Sequence, residues 1–390
     1  MIIELHLIQS FPTSNLNRDD LGQPKSVTFG GALRSRVSSQ CLKRSARDLF
    51  EDVGLAEGET AVRTKRLLQE AAVQMAGKEG ATVTDEHETV VREALRQMGF
   101  ELDTNDLTQY LLFVGKSAVT DLADYCAANK DSLVKAAAKR AKEKKEKKDK
   151  PTGDVLDQAR KILNARKSVD IALFGRMIAD NKDFNIDAAS QVAHAISTHS
   201  VGVEYDFYTA VDDLKPEAEA GADMIGTVDF NAACYYRYAN LDLAQLRKNL
   251  FGKDATDVDE DLVERATSAW LNAFIRAVPS GKQNSMAART MPDTLLAVVR
   301  DSGAWNLANA FLKPVDSKEA SLKDLSVMDV STERLWEHFE RLRGFYGEEE
   351  VRKVAMASVS GSLDWLDVRE DERAESLAAF TGQVMGAVRG

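Results

Sequence analysis

The chain predicts an α+β fold, and three observations carry that prediction. Residues 2 to 8 alternate Ile3, Leu5 and Leu7 with Glu4 and His6, the period-two pattern of a strand with one buried face. From about Gly58 to Asn181 the character changes to helical. With that stretch removed, the remaining elements run strand, helix, strand, strand, helix, strand. This is the ferredoxin-like (RRM) order, interrupted after its first helix by a helical insertion.

Taking the elements in turn, the first strand leads into a loop from Ser10 to Ser26 rich in Pro, Asn, Asp and Gly. Loops of that length more often carry function than not. The stretch FGGALRSRVSSQCLKRSARDLF (29 to 50) then reads as a glycine turn, a short basic segment and a helix. Gly30 and Gly31 allow a tight turn where the backbone approaches something closely. Ser38 and Ser39 are N-cap residue types, and Ser39 best fits the register of the run that follows. Leu42, Ala46, Leu49 and Phe50 share one helical face, while Gln40, Lys43, Arg44 and Arg47 fall off it. No acid occurs between Leu21 and Arg47. Free N–H groups at a helix start, with cations on the next two turns, make the chemistry of a phosphate site. Basic residues opposite an apolar stripe also form ordinary solvated faces. The glycines, the serines and the missing acids favour anion binding.

Within the insertion, Thr84 or Asp85 caps a helix carrying Val91, Leu95 and Met98 and stopped by Gly99, and Asp85 and Glu88 have capping-box spacing. The lysine-rich run from 135 to 150 has too few apolar residues to bury anything and reads as an exposed helix or loop. SVDIALFGRM (168 to 177) ends in Gly-Arg-Met and gives Met177 two readings. It fills a core gap, the commoner fate and the one the residues alone favour, or it is an exposed wedge able to push between stacked bases.

Strands are expected at 191 to 198, 203 to 211 and 227 to 239, the last with Phe230, Ala232, Cys234, Tyr236 and Tyr238 on one face. DDLKPEAEAGAD (212 to 223) marks a protruding hairpin tip. Asn240 or Asp242 opens a helix ended by Gly252. A second helix aligns Leu262, Ala266, Ala269, Trp270, Ala273 and Phe274. PSGKQN turns into the strand TLLAVVRD, and a last helix around Leu335, Phe339 and Leu342 stops at Gly344. Folds of this order commonly bind single-stranded RNA, yet no RNP1 consensus lies on these strands.

With 390 residues, 44% hydrophobic and 29% charged, the chain has material for two or three domains. Its mean hydropathy is -0.31 and no run suits a membrane span. The N-terminus carries Glu4 and no basic leader, which argues against a signal peptide. Cys41, Cys126 and Cys234 are far apart, with no metal spacing, as in a reduced cytoplasmic chain. A net charge of -11 argues against a nucleic-acid partner, but its distribution argues for one. Residues 18 to 47 hold seven Lys and Arg against Asp19 and Asp20, and residues 135 to 150 hold nine against three acids. That segregation suits a polyanion groove with an acidic remainder. Self-association through opposite faces would produce it too.

No HExxH, GxSxG, Walker or GxGxxG motif occurs. His194 and His199 are five apart, fitting neither a helical metal pair nor one strand face, and lone strand histidines are usually structural. Asp212 and Asp213 sit at the expected hairpin tip. The sequence offers no catalytic residue, metal site or cofactor site, and binding is the better reading.

Eight motifs in order then carry a resemblance: LNRDD (16 to 20), FGG (29 to 31), RVSSQCLKR (36 to 44), VDIALFGRM (169 to 177), AHAISTH (193 to 199), FYTAVDDL (207 to 214), YYRYANLDLAQL (235 to 246) and VPSGKQNS (278 to 285). Together they resemble the CasC-type backbone subunit of the type I-E CRISPR Cascade complex, a RAMP-superfamily protein. The similarity runs to roughly Phe311, and the C-terminal eighty residues match only loosely. The resemblance implies a right-hand shape with an RRM-like palm (1 to 57, 182 to 199 and 227 to 390), helical fingers (58 to 181) and a hairpin thumb (200 to 226). It implies a non-catalytic protein that polymerises along a CRISPR guide RNA (crRNA) in antiviral surveillance. Each thumb would displace bases at intervals and leave the rest to pair with target DNA. Implied partners are further copies of itself and the CasA, CasB, CasD and CasE types of subunit, with no membrane and no cofactor. By motif, the palm contacts would be Arg18, Lys25, Ser38, Gln40, Lys43, Arg44 and Arg47, with Lys282 and Gln283 after the proline-glycine turn. Met177 takes the family's wedge position, reversing the core reading. Tyr208 and Thr209 fall in the thumb motif, where an aromatic can pack on a displaced base. The competing readings are a RAMP-type endoribonuclease using histidine chemistry and a generic single-strand-binding filament protein.

Overall fold

In the computed structural model, which describes residues 1–142, 153–162, 168–178, 184–210, 224–253 and 255–389, the opening strand is longer than its alternation predicts. It is β1 (Ile2–Ser14), followed by β2 (Ser26–Phe29), β3 (Ala32–Val37) and α1 (Ser39–Arg47). Next come β4 (Ala61–Thr64), α2 (Leu67–Lys78), α3 (Asp85–Gln97), β5 (Leu112–Gly115), α4 (Ala118–Ala128), α5 (Lys130–Lys142), α6 (Asp154–Ile162) and α7 (Val169–Phe174). The chain continues through β6 (Ser190–Val192), β7 (Ala195–Ser197), β8 (Glu204–Ala210), β9 (Met224–Asp242), α8 (Leu243–Phe251) and α9 (Glu260–Arg276). It ends with α10 (Gln283–Met286), β10 (Thr294–Arg300), α11 (Ser317–Leu322), α12 (Val327–Tyr346), β11 (Val351–Ser358) and α13 (Leu377–Arg389). The protein is α+β and forms two units. One comprises Met1–Val53, Ser190–Leu243 and Glu264–Gly390; the other comprises Gly54–Ala189 and Ala244–Val263. The second unit thus takes in 244 to 263 as well as the expected insertion.

The first unit is built on an antiparallel sheet in the order β11-β10-β1-β9-β7-β3-β2, with β6 and β8 also pairing β9. β1 lies between β10 and β9, and every residue from Ile3 to Gln9 is buried, so both of its faces are covered and the expectation of one buried face fails. Glu4 and His6 are each 1% exposed. Buried polar groups need partners, and these have them. Glu4 accepts from Tyr238 Oη at 3.2 Å and from the Trp305 N–H, and His6 Nδ1 lies 2.9 Å from Tyr236 Oη. Burial still pushes the Glu4 carboxyl up to about 7, against its hydrogen bonds and Arg300, and pushes His6 down to about 3.

β9 is also covered twice over much of its length. Cys234, Tyr236 and Tyr238 pack with Leu335, Trp336 and Phe339 of α12, whereas Ala233 and Tyr235 join Phe11, Leu16, Val37 and Leu42. Its single expected apolar face is therefore two faces, one core apiece. On the Tyr235 side Arg237 donates to Phe274 O of α9 at 2.6 Å, and Trp270 Nε1 donates to Ser190 Oγ at 2.9 Å. The expected strand over 191 to 198 is two strands, β6 and β7, interrupted at Ala193 and His194.

α12 starts with a capping box between Ser326 and Asp329 and continues through Gly344 to a C-cap at Gly347. A helical glycine costs about 1 kcal/mol against alanine, and buried Arg343, paired with Glu340, Glu348 and Glu372, accompanies the last turn. The stop comes where a φ of 87° suits glycine.

In the second unit, α2, α3 and α4 bury Leu68, Met75, Val91, Leu95 and Leu122 in one cluster. Thr84 caps α3, but the reciprocal partner is His87 rather than Glu88: Thr84 N–H donates to His87 Nδ1 at 3.0 Å. His87 Nε2 in turn lies 3.0 Å from Glu79 Oε2. The described start of the lysine-rich run belongs to α5, where Arg140 pairs with buried Glu93 at 2.9 Å; residues 143 to 150 lie outside the described residues.

Candidate nucleic-acid interface

The basic segment forms around the start of α1. Gly30 and Gly31 make the turn between β2 and β3 with φ of 57° and 76°. A Cβ at Gly30 would fall on Leu312 O, so the close approach the glycine allows is to the chain's own backbone. Of the cations that follow, Arg34 is wholly buried and donates to Ser197 O at 3.0 Å and Phe311 O at 2.7 Å. It holds strands together. Arg36 stays at the surface, its Nη1 3.1 Å from His194 Nδ1.

Ser38, not Ser39, caps α1, accepting from Cys41 N–H at 3.3 Å. Ser38 is buried, and its own N–H donates to Asn17 Oδ1 at 2.9 Å. The Ser39 N–H donates to His194 Nδ1 at 3.3 Å. The cradle of free N–H groups expected at this helix start is therefore largely occupied. Among the described residues only the Gln40 N–H of that turn lacks a protein acceptor. What remains for an anion is the helix dipole and the cationic side chains, with no acid in the first turn and Arg44 and Arg47 in the last. Exposed Arg44 sits 3.9 Å from Asp48, a solvated pair of little energetic weight. Lys43 is half-buried, and burial lowers its pKa.

The loop before β2 is ordered by its own polar groups. Asp19 Oδ1 accepts from the Leu21 and Gln23 N–H groups, and Asn15 Nδ2 donates to Gly22 O and Asp229 O. Asn17 ties this loop to Ser38, and Arg36 N–H donates to Lys25 O at 2.8 Å. Arg18 and Lys25 are thereby fastened beside α1. A Cβ on Gly281 would fall on Leu16 O, so the turn carrying Lys282 seats on the same loop. Lys282 has a left-handed φ of 52°. Gln283 faces inward, donating to Pro279 O at 3.0 Å, which makes it a brace for that turn and not an exposed contact. Arg18, Lys25, Gln40, Lys43, Arg44, Arg47 and Lys282 thus share one neighbourhood, with Ser38 and Gln283 as its internal supports.

A comparison of the whole chain gives this neighbourhood its context. The CT1975-like family of CRISPR-associated (Cas) proteins matches residues 3–382. The chain belongs to that family. It is also similar to a chain of a solved CRISPR RNA-guided surveillance complex in a pre-nicking state, with a TM-score of 0.82 and 31% identity over 99% of this chain and 100% of that one. A chain of a second CRISPR RNA-guided surveillance complex aligns with a TM-score of 0.71 and 26% identity, over the same shares. None of the curated proteins matches.

Two expected Cas-family contact regions lie apart from α1 in sequence. Met177 follows Gly175, whose φ is 75°, and is 86% exposed, so it fills no core gap. Its neighbour Arg176 is buried, donating to Phe184 O and Phe113 O, and anchors the segment. Among the described residues β8 pairs with the first part of β9, from Glu204 opposite Phe230 to Ala210 opposite Met224, and the tip with Asp212 and Asp213 lies outside them. The Tyr208 ring occupies the space that a Cβ at Gly226 would need, and Thr209 is exposed. Sequence reading overlooked Tyr205 and Phe207, 61% and 73% exposed on the same strand. It read His194 as a structural strand histidine, whereas the residue lies in the break between β6 and β7 and accepts from the Ser39 N–H. Nothing in the linear sequence joins that histidine to Ser39, 155 residues away. His199, expected on a strand, lies past the end of β7, with Nε2 accepting from Cys234 N–H and Nδ1 3.0 Å from Ser200 O.

Proposed function

We propose that this Cas-family protein is a non-catalytic backbone subunit of the type I-E, CasC kind that polymerises along the CRISPR guide RNA. The observation that carries the reading is the cationic surface of α1, a helix without an acid, and of the loop fastened to it, on a chain of which 99% matches a chain of an RNA-guided surveillance complex. Phosphate contacts of this kind position an RNA without reading its sequence, leaving its bases to pair with target DNA. The antiparallel order β10-β1-β9 with β6 and β7 supports an RRM-like palm, and the isolated β8–β9 hairpin supports a thumb. In this reading the second unit supplies the fingers, Met177 displaces a base, and Tyr208 and Thr209 line the displaced base. Copies of the chain and CasA, CasB, CasD and CasE types of subunit complete the particle.

The endoribonuclease alternative needs a histidine acting as base near the phosphate site. His194 is there, but its Nδ1 already accepts two donors, and both nitrogens of His199 are engaged. Lys43→Ala with Arg47→Ala tests the binding surface. RNA affinity falls, and the slope of log affinity against log salt becomes shallower by roughly 1.4, two contacts on a single strand. An unchanged slope removes α1 from the site. Co-expression with a repeat-spacer transcript and the sister subunits gives a discrete co-purifying RNA; clean protein under those conditions sinks the proposal.

A further inference from the structure

An open depression beside the start of α1 is lined by Ser26, Val27, Phe29, Arg36, His194 and Ile196. Its floor is apolar, from Val27, Phe29 and Ile196, and Arg36 and His194 stand at its polar edge. His194 lies in the break between β6 and β7, which is why its ring can leave the sheet and reach α1. Its Nδ1 faces two donors, the Ser39 N–H at 3.3 Å and Arg36 Nη1 at 3.1 Å. A ring nitrogen that accepts carries no proton, so the proton of the neutral ring sits on Nε2. Burial, then Arg36 and Lys25, hold its pKa below the ordinary value, in keeping with that neutral state. Among the described residues Nε2 has no protein acceptor.

We infer that this depression is a ribose subsite and that His194 distinguishes RNA from DNA by donating its Nε2–H to a 2′-hydroxyl. The inference rests on the RNA-binding reading above and adds to it the source of sugar specificity. The cations of α1 attract the phosphates of either strand alike, so they cannot tell the two apart. A neutral donor is suited to a neutral hydroxyl, and the 2′-hydroxyl is the group that separates RNA from DNA. The apolar floor accepts the C–H faces of the sugar, and Arg36 at the rim faces the adjoining phosphate. Charge complementarity argues for a nucleotide here, because the segment from Pro24 to Ala46 contains no acid.

The test compares the full chain and its variants on an unstructured RNA and on DNA of the same sequence, at one ionic strength and above the titration range of histidine. His194→Ala is expected to weaken RNA binding by about three- to tenfold, the effect of one hydrogen bond, and to leave DNA binding unchanged. Two further variants separate this role from a structural one. His194→Gln places a donor near the Nε2 position and retains most of the RNA preference. His194→Asn keeps an acceptor near the Nδ1 position, preserving the contact to Ser39, and loses the preference. Equal losses on RNA and DNA, or full rescue by Asn and none by Gln, overturn the inference. If His194→Ala lowers the melting temperature, the Gln and Asn pair decides alone. A wild-type chain that binds RNA no better than DNA overturns the subsite while leaving the binding surface standing. A wild-type chain that binds neither overturns the RNA-binding reading itself.

Discussion

β9 presents two environments along one strand. From Ala233 to Leu241 it is covered on both faces, and its tyrosines are core residues whose hydroxyls all find partners. Toward Met224, among the described residues, it pairs with β8 alone, and the aromatics across the hairpin, Tyr205 and Phe207, are exposed. The covered part of β9 and the exposed β8 are both rich in aromatics, with Tyr235, Tyr236 and Tyr238 on one and Tyr205, Phe207 and Tyr208 on the other. Cover decides which aromatics hold the fold and which remain available to a ligand, and cover is a tertiary property. The same division runs through the cations: Arg34 is inside and bonded to two carbonyls, while Arg36, two residues on, is at the surface.

The widest separation is expected from truncating an aromatic in each environment. Tyr236→Ala removes a ring buried against Phe311 and an oxygen that accepts from Leu307 N–H at 2.9 Å. Such a change costs about 3–5 kcal/mol in a core. Phe207→Ala changes stability by about 0.5 kcal/mol or less. Urea unfolding of both variants measures the contrast, and comparable losses would mean that the hairpin is covered after all.

Proton linkage sharpens the comparison within the buried half. Glu4 has its pKa raised from 4.5 to about 7, so its contribution to stability is complete below pH 4.5 and is lost as the pH rises through 7. His6 is lowered from 6.5 to about 3, so its contribution is complete above pH 6.5 and is lost as the pH falls toward 3. Between pH 4.5 and 6.5 the two slopes oppose each other. In Glu4→Gln only the His6 slope survives there. The stability difference between wild type and this variant should therefore change by about 3 kcal/mol from pH 4.5 to 7, in the direction that disfavours wild type at the higher pH. A difference independent of pH would show that Glu4 is not titrating in the fold.

Among the cations, Arg34→Ala leaves Ser197 O and Phe311 O without their donor and is expected to cost roughly 1–3 kcal/mol. Arg44→Ala, at an exposed pair, should cost about 0.5 kcal/mol or less. On RNA the order reverses for variants that stay folded: Arg44→Ala weakens binding, and Arg34 has no group to offer. Thermal unfolding alongside titration with RNA separates the two.

These contrasts explain what could be read in the residues. Periodicity placed β1, α1, the strand at β8 and the apolar face of α9, because local spacing records which side is covered. It did not tell that β1 and β9 are covered on both sides, since Glu4, His6 and Arg237 are polar residues whose partners lie more than thirty residues away in sequence. It chose Ser39 over Ser38 as the cap because Ser39 better fits the apolar register, whereas the cap is settled by Asn17 and His194 reaching in from the loop and the sheet. Arg34 and Arg36 are alike in sequence for the same reason, and the basic segment was legible as a charge pattern before any of its members could be sorted.

Met177, like Phe207 and Arg44, has a small expected effect on stability, and it gives the sharpest test of the division between cover and availability. At 86% exposure its side chain has almost no burial to lose, so Met177→Ala should change unfolding free energy by about 0.5 kcal/mol or less. The backbone around it is held independently, by Gly175 in its positive φ and by buried Arg176 bonded to two carbonyls, so the variant keeps the segment in place. An exposed methionine on a rigid support has little reason in the fold itself, because the adaptable thioether side chain is ordinarily used to fill gaps. If it works as a wedge, Met177→Ala leaves overall RNA affinity close to wild type, since phosphate contacts dominate that quantity, and changes the reactivity of the guide bases it displaces to single-strand-specific probes. Loss of stability would return Met177 to the core; an unaltered probing pattern in the assembled complex would leave it exposed without a role on the RNA.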